Sequence, residues 1–293
     1  MASALERAAN YYNRELIEPM RQATVNRRLF QKVTWLPKGK FNVDVDRMSD
    51  MNEAQIAFGM PSEEGSRDAI NITRENFRLP FLWKDFETKR SDFEAFATQG
   101  VDLETSAMLS AGHMLALKED ELLIQGWVPK DDGVYAIKGL FQAAGQQYTT
   151  SKDFATFGNA KDAVAGARAK LWNKNVNGVN FNLVLNPDQY GELDSSQQDG
   201  YDEMEKVMRL LNPVPGAYPG SVFQSTRIVS GSGLMVPVDN AGTYFDLVIG
   251  ADAQNDPGID SRHPNTSPLY GRVWESLFPR VKHADAFIQL TAI

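Results

Sequence analysis

The chain has 293 residues, 42% of them hydrophobic, and a formal net charge of −8, so it can bury a substantial core as one large domain or two closely packed ones. It contains no cysteine, which excludes disulfides, thiolate metal sites and a cysteine nucleophile. No run approaches the roughly 18 uninterrupted apolar residues that a membrane helix needs, and the opening MASALERAANYYNREL has no apolar signal-peptide core; the expectation is a cytoplasmic protein with no membrane partner, in which the sequons at Asn71 and Asn265 go unused.

The charge is unevenly spread. Residues 1–40 carry eight basic and three acidic side chains, a net +5, which leaves −13 for the rest of the chain. A basic arm on an acidic body either faces something anionic or docks on its own fold. Over residues 4–29, Leu5, Ala8, Ala9, Tyr12, Leu16 and Met20 recur at helical spacing, with arginines on the other face and a break or kink at Pro19.

From Phe30 to Asn76 the pattern changes to short extended pieces. Phe41–Val45 alternates, and a polar stretch with Gly59, Pro61 and Gly65 follows. This predicts a long two-stranded excursion with little core of its own, which a neighbouring subunit could hold. Asp44 and Asp46 share a strand face there and read as solvated. Asn76–Phe86 resumes strand-like alternation. Val101–Ile124 is the clearest helix: Asp102 as N-cap, Glu104 in the first turn, and Leu103, Ala107, Ala111, Leu115 and Leu122 as the core stripe, with His113 near the core side.

A Gly-rich connection containing Gly139 and Gly145 leads to a helix over residues 159–173, with Val164, Ala167, Leu171 and Trp172 on one side. Phe181–Leu185 predicts a buried strand, and Pro187 opens a short helix through Leu193. A further helix, Asp202–Leu211, presents Met204, Val207, Met208 and Leu211, and the Pro/Gly cluster 213–220 ends it. Strands are then expected at Val222–Val229, Leu234–Val238, Tyr244–Ile249, Tyr270–Phe278 and Ala286–Ile293.

No chemistry-bearing constellation stands out. His113, His263 and His283 are far apart, without a second ligand at helical spacing. His263 with Asp256 and Asp260 could make an oxygen-rich site, yet reads more simply as an acidic surface loop. There is no phosphate-cradling glycine loop and no nucleophile elbow, and Ser230–Gly233 is a turn. The residues point to no catalytic, cofactor or metal site. A soluble enzyme of unrecognised class stays an open alternative, because chemistry follows fold only loosely.

A basic amphipathic arm, a long unsupported loop, one long helix and a mixed domain closed by C-terminal strands resemble, in that order, the α+β capsid fold of the HK97 type. The detail is similar to encapsulins. Their spine helix has an acidic ending followed shortly by a Gly-Leu pair, seen here as Glu119–Gly126 (EDELLIQG) and Gly139–Leu140. FNLVLNPDQYGEL, Phe245–Asp252 (FDLVIGAD) and the stretch from Trp274-Glu275-Ser276 to Ala286 resemble further family elements.

The resemblance implies a self-assembling icosahedral shell subunit, its main partner being itself. It divides the chain into an N-terminal arm helix and first strand (1–42), an E-loop (43–76), a P-domain with the spine helix (77–149), an A-domain (150–230) and C-terminal strands returning to both (231–293). In an encapsulin nanocompartment the arm lies inside. Leu5, Tyr12, Leu16 and Ile17 would then receive the short targeting peptide of a cargo protein, or else pack on the P-domain. Arg7, Arg14, Arg21, Arg27 and Arg28 would form a basic inner surface, Glu53 and Phe58 would make E-loop assembly contacts, and Asp194, Asp199 and Tyr201 would line an axial pore. The same fold also implies the alternative of a major capsid protein of a tailed bacterial or archaeal virus, with packaged DNA facing the basic arm. No lysine lies between Lys40 and Lys84, so the lysine–asparagine crosslink of HK97 phage shells is not expected.

Overall fold

A computed structural model describes residues 26–37, 39–40, 42–48, 72–88, 103–129, 136–198, 201–259 and 269–293. The arm helix expected over residues 4–29 therefore lies outside the described residues except for its last turn. That turn, Asn26–Leu29, is a 3-10 helix with Asn26 and Leu29 fully buried, and β1 (Val33–Trp35) follows it.

β2 (Asn42–Met48) and β3 (Ile72–Arg78) pair antiparallel, in register from Asn42↔Arg78 to Met48↔Ile72. An isolated two-stranded ribbon is marginal in water, and this one is fastened at its base: Val43 is buried, and Phe77 stacks on Phe278 with centroids 5.3 Å apart. Asp44 is not merely solvated, for Asn76 Nδ2 donates to its Oδ1 at 2.6 Å.

After β4 (Phe81–Thr88) comes the long helix α1 (Leu103–Ile124). Its buried face runs through Met108, Ala111, Leu115, Ala116 and Glu119 to Leu122, Leu123 and Ile124. His113, expected near the core side, is exposed; two residues beyond Ala111 is more than half a turn around the helix. Asp102 lies outside the described residues.

Small elements fill what reads in sequence as a Gly-rich connection: β5 (Gly126–Trp127), β6 (Ile137–Lys138), α2 (Leu140–Ala143) and β7 (Gln146–Thr149). Gly126 has φ +83°, and a Cβ there would meet the Ile137 carbonyl oxygen at 2.2 Å; a Cβ on Gly139 would meet the Ile124 carbonyl at 2.4 Å. The end of α1 and this connection can touch only through glycine.

α3 (Asn159–Asn173) and β8 (Phe181–Leu185) fall within the expected bounds, and all five residues of β8 are buried. α4 (Pro187–Ser195) is capped by Asn186, whose side chain accepts from the Asp188 amide at 3.0 Å. β9 (Gln197–Gln198) and β10 (Tyr201–Asp202) then pair, and α5 (Glu203–Leu211) starts one residue later than expected because Asp202 is its N-cap, accepting from Met204 N at 2.9 Å. β11 is only Val222–Gln224. The rest of the expected strand turns away, with Ile228 N donating to Ser225 O at 3.3 Å. β12 (Ser232–Pro237) follows, then β13 (Phe245–Ile259) and β14 (Leu269–Val281), both longer than expected. A second 3-10 turn, Ala284–Ala286, takes the start of the last expected strand, and β15 is Ile288–Thr291.

Two sheets result. One has the order β1-β13-β14-β4, with α1 packed on β4 and β14; the other has the order β11-β8-β12-β15-β7, with α3 packed on α5, β7 and β15. Phe245 joins them, meeting Phe30 at 5.2 Å and Phe287 at 5.3 Å, both edge to face.

Candidate functional site

Three features of this scaffold bear on the candidate sites. The first is the attachment of the N-terminal segment. The Asn26 amide donates to Asp120 Oδ1 at 3.2 Å, and Asn26 Nδ2 to the Asp120 carbonyl and to Ser225 Oγ, each at 3.2 Å. Next to it, Arg27 Nη2 bonds Asp252 Oδ1 at 2.9 Å and Nη1 lies 3.5 Å from Glu119 Oε1. Glu119 and Glu275 are both fully buried. Burial drives the Glu275 carboxyl well above the usual range, the negative charges of Glu119 and Asp252 add to this, and Arg27 opposes it. Burial also disfavours the Arg27 charge, but Glu119 and Asp252 outweigh it and hold Arg27 above its ordinary value.

Arg27 is thus turned into its own subunit among carboxylates and is not a free charge of a basic surface, whereas Arg28 is exposed. The sequence carries a signal for this centre. Glu119 lies four residues after Leu115 and three before Leu122, on the stripe already assigned to the core. An acid at such a position needs a buried cation.

The second feature is an apolar groove of about 610 Å³ between α1 and β4, with Leu79, Leu82, Met114 and Leu115 in its wall and Arg78, Lys84 and Lys118 at its rim. Phe81, Trp83, Met114 and Trp127 remain 40–59% exposed. Large aromatics left out in a cluster mark a contact surface, one that the sequence reading did not single out.

The third is the turn between α4 and α5. Asp194 and Tyr201 are exposed, while Asp199 lies outside the described residues. Lys206 Nζ sits over two rings, 5.1 Å from Tyr201 and 4.4 Å from Phe157. Beneath them the buried Glu203 carboxylate accepts from the Gly158 and Lys161 amides, both at 2.9 Å, and from Ser196 Oγ at 2.8 Å. The turn stands on a fixed base. Leu5, Tyr12, Leu16, Ile17, Arg7, Arg14, Arg21, Glu53, Phe58 and His263 all lie outside the described residues.

Among the described residues no grouping of histidines and carboxylates could hold a metal ion, and no helix is long and apolar enough to cross a membrane.

Comparison with known proteins gives a consistent picture. A family model, Linocin_M18, described as an encapsulating protein for peroxidase, matches residues 49–256. The chain is 26% identical over 286 residues to a type 1 encapsulin shell protein, EncA, of Myxococcus xanthus, covering 95% of this chain and 90% of that protein. It is 26% identical over 203 residues to a diheme-cytochrome-encapsulin shell fusion protein of Kuenenia stuttgartiensis, covering 67% and 52%. Among solved structures it superposes on a virus-like particle from Pyrococcus furiosus with a TM-score of 0.65 at 16% identity, over 95% of this chain and 97% of that one. It superposes on the capsid of the Myoviridae phage XM1 with a TM-score of 0.68 at 13% identity, over 87% of each chain. At these identities the two structures speak for fold alone, the α+β capsid fold of the HK97 type.

Proposed function

The chain belongs to the Linocin_M18 family of encapsulating proteins, and from that premise we propose that it closes an icosahedral shell around a cargo protein carrying a short targeting peptide. It is a self-assembling shell subunit of the encapsulin type, and its part in that assembly is structural, not catalytic. The observation that carries the cargo reading is the family's own description, in which the enclosed partner is an enzyme. In this reading residues 1–42 are the arm, 43–76 the E-loop, 77–149 the P-domain, 150–230 the A-domain and 231–293 the returning strands. Leu5, Tyr12, Leu16 and Ile17 receive the peptide, Arg7, Arg14, Arg21 and Arg28 face the interior, and Glu53 and Phe58 contact a neighbouring copy. Asp194, Asp199 and Tyr201 line a pore whose polarity suits small ions, and the shell works in the cytoplasm.

A second reading, a viral capsid enclosing DNA, is favoured by the likeness to the phage XM1 capsid and by the net +5 of residues 1–40. One experiment separates the two. The full chain is expressed alone, isolated by size exclusion and viewed by negative-stain electron microscopy. Closed particles without nuclease-sensitive contents support the compartment; closed particles that retain nucleic acid after external nuclease support the capsid. A monomer or dimer at every salt and concentration counts against unaided assembly, and so against the compartment.

A further inference from the structure

The connection from α3 to β8 contains the chain's one Asn-Gly pair, Asn177-Gly178. Asparagine is thermolabile, because the backbone nitrogen that follows it can attack its side-chain carbonyl carbon. A fold ordinarily prevents this by holding that nitrogen in a hydrogen bond and by crowding it with the next side chain. Neither restraint is present at Asn177. Both residues are exposed. Gly178 has φ +79°, and a Cβ there would find nothing within 4 Å. Among the described residues the Gly178 amide donates no backbone hydrogen bond, and the Asn177 side chain has no partner. Neighbouring asparagines show the contrast. Asn173 precedes Lys174, whose amide donates to Leu171 O at 3.0 Å, and Asn175 precedes Val176, whose amide donates to Leu171 O at 3.2 Å. Asn186 and Asn212 are followed by proline, which has no amide hydrogen to lose.

We propose that Asn177 is a site of spontaneous deamidation, which makes this loop the place where the protein takes on negative charge as it ages. The Gly178 nitrogen gives up its proton to hydroxide or water and bonds to Asn177 Cγ. Nδ2 leaves as ammonia, and an imide ring closes between the two residues. Water then opens the ring. Cleavage of the bond from the nitrogen to Cγ gives aspartate; cleavage of its bond to the main-chain carbonyl carbon gives isoaspartate, with the chain now running through Cβ and Cγ. No electrons are exchanged, and either product carries an ionised carboxylate at neutral pH where the amide stood.

Isoaspartate adds a backbone carbon, and the fold decides where it goes. Upstream, Val176 is buried. Downstream, Asn180 is pinned: its carbonyl accepts from Val238 N at 2.8 Å and its Oδ1 from Val214 N at 2.9 Å. The extra atom is therefore taken up by residues 177–179, where the space around Gly178 is open. β8 keeps its place in the sheet, and the lasting change is one negative charge per reacted chain.

The test uses the full chain as it is isolated, held in mildly alkaline buffer and sampled over days. Peptide mapping by mass spectrometry follows the exchange of amide for acid at each asparagine, and labelling by an isoaspartyl methyltransferase reports the isomer. The expected result is conversion at Asn177 ahead of Asn173 and Asn175 in the same loop, faster as pH rises, with isoaspartate among the products. Gly178→Ala should slow the conversion about tenfold, the rate equivalent of the strain and crowding that a Cβ adds. Asn177→Gln should keep a single anion-exchange peak where the wild type splits. If Gly178→Ala does not fold, the comparison of the three asparagines within the wild type decides alone. Equal rates at those three, or a Gly178→Ala rate equal to that of the wild type, overturn the proposal.

Discussion

Glu203 has no access to water, yet its charge is fully answered by the amides of Gly158 and Lys161 and the hydroxyl of Ser196. Hydrogen bonds to a charged group are worth more than neutral ones, and removing the acceptor leaves two partly buried amides and the Ser196 hydroxyl without it. Glu203→Ala is expected to cost about 3 kcal/mol, read as a lower thermal midpoint at fixed protein concentration, since assembly makes that midpoint concentration-dependent. Asp246 is the acid-side counterpart of Glu275. Its burial favours the neutral form, but Arg280 (Nε to Oδ1 at 2.7 Å) and Thr34 (2.8 Å) outweigh it and hold the carboxyl below its usual range. A lowered carboxyl contributes stability above the ordinary range that disappears as pH falls through the folded value. The wild type should therefore lose thermal stability in acid, while Asp246→Asn starts lower at neutral pH and shows a shallower acid limb. Parallel acid limbs in calorimetry would remove this ion pair as the cause.

At the scale of elements, glycine pairs α1 to its sequel. Gly126→Ala sets a Cβ 2.2 Å from a backbone oxygen at a φ of +83°, so the chain must shift, and a loss of about 4 kcal/mol or more is expected. Gly178 has a comparable φ of +79° but open space around it; Gly178→Ala should cost only the backbone strain, about 1 kcal/mol. Thermal midpoints of the two variants measured side by side check the contrast, and equal losses would mean that contact with the Ile137 carbonyl is not what matters. Elements with a strong period or firm punctuation were legible in sequence: α3 shows a clean apolar stripe, and β8 is an apolar run stopped by Asn186-Pro187. β11 was overextended because Val229 continues the apolar pattern although it is 65% exposed, in a segment where Ser225 already turns the chain. β13 was cut short because bulges near residues 249–254 break the period-two alternation. The carboxyl centre was half legible. Glu119 sits on a readable stripe, but Glu275 and Arg27 meet it from positions far away in sequence, and no local pattern reports a tertiary pairing.

For the whole molecule, the question is what holds copies of the chain together. The hairpin β2–β3 has a base fastened by Phe77 and Phe278, and residues 41–83 contain no lysine. Without an amine in that excursion, the lysine–asparagine bond by which HK97 phage shells interlink has no nucleophile from this segment. The expectation is then that the subunits are held by apolar burial, hydrogen bonds and ion pairs, all of which denaturant and detergent defeat. The exposed aromatic groove between α1 and β4 suits such non-covalent contact. Assembled particles boiled in detergent should run as a single species of 32.6 kDa, and guanidinium should return them to single chains that reassemble on dilution. A detergent-resistant ladder at multiples of the chain mass would show a covalent link from some other residue pair. That outcome would move the source of shell stability from many weak contacts to a few bonds.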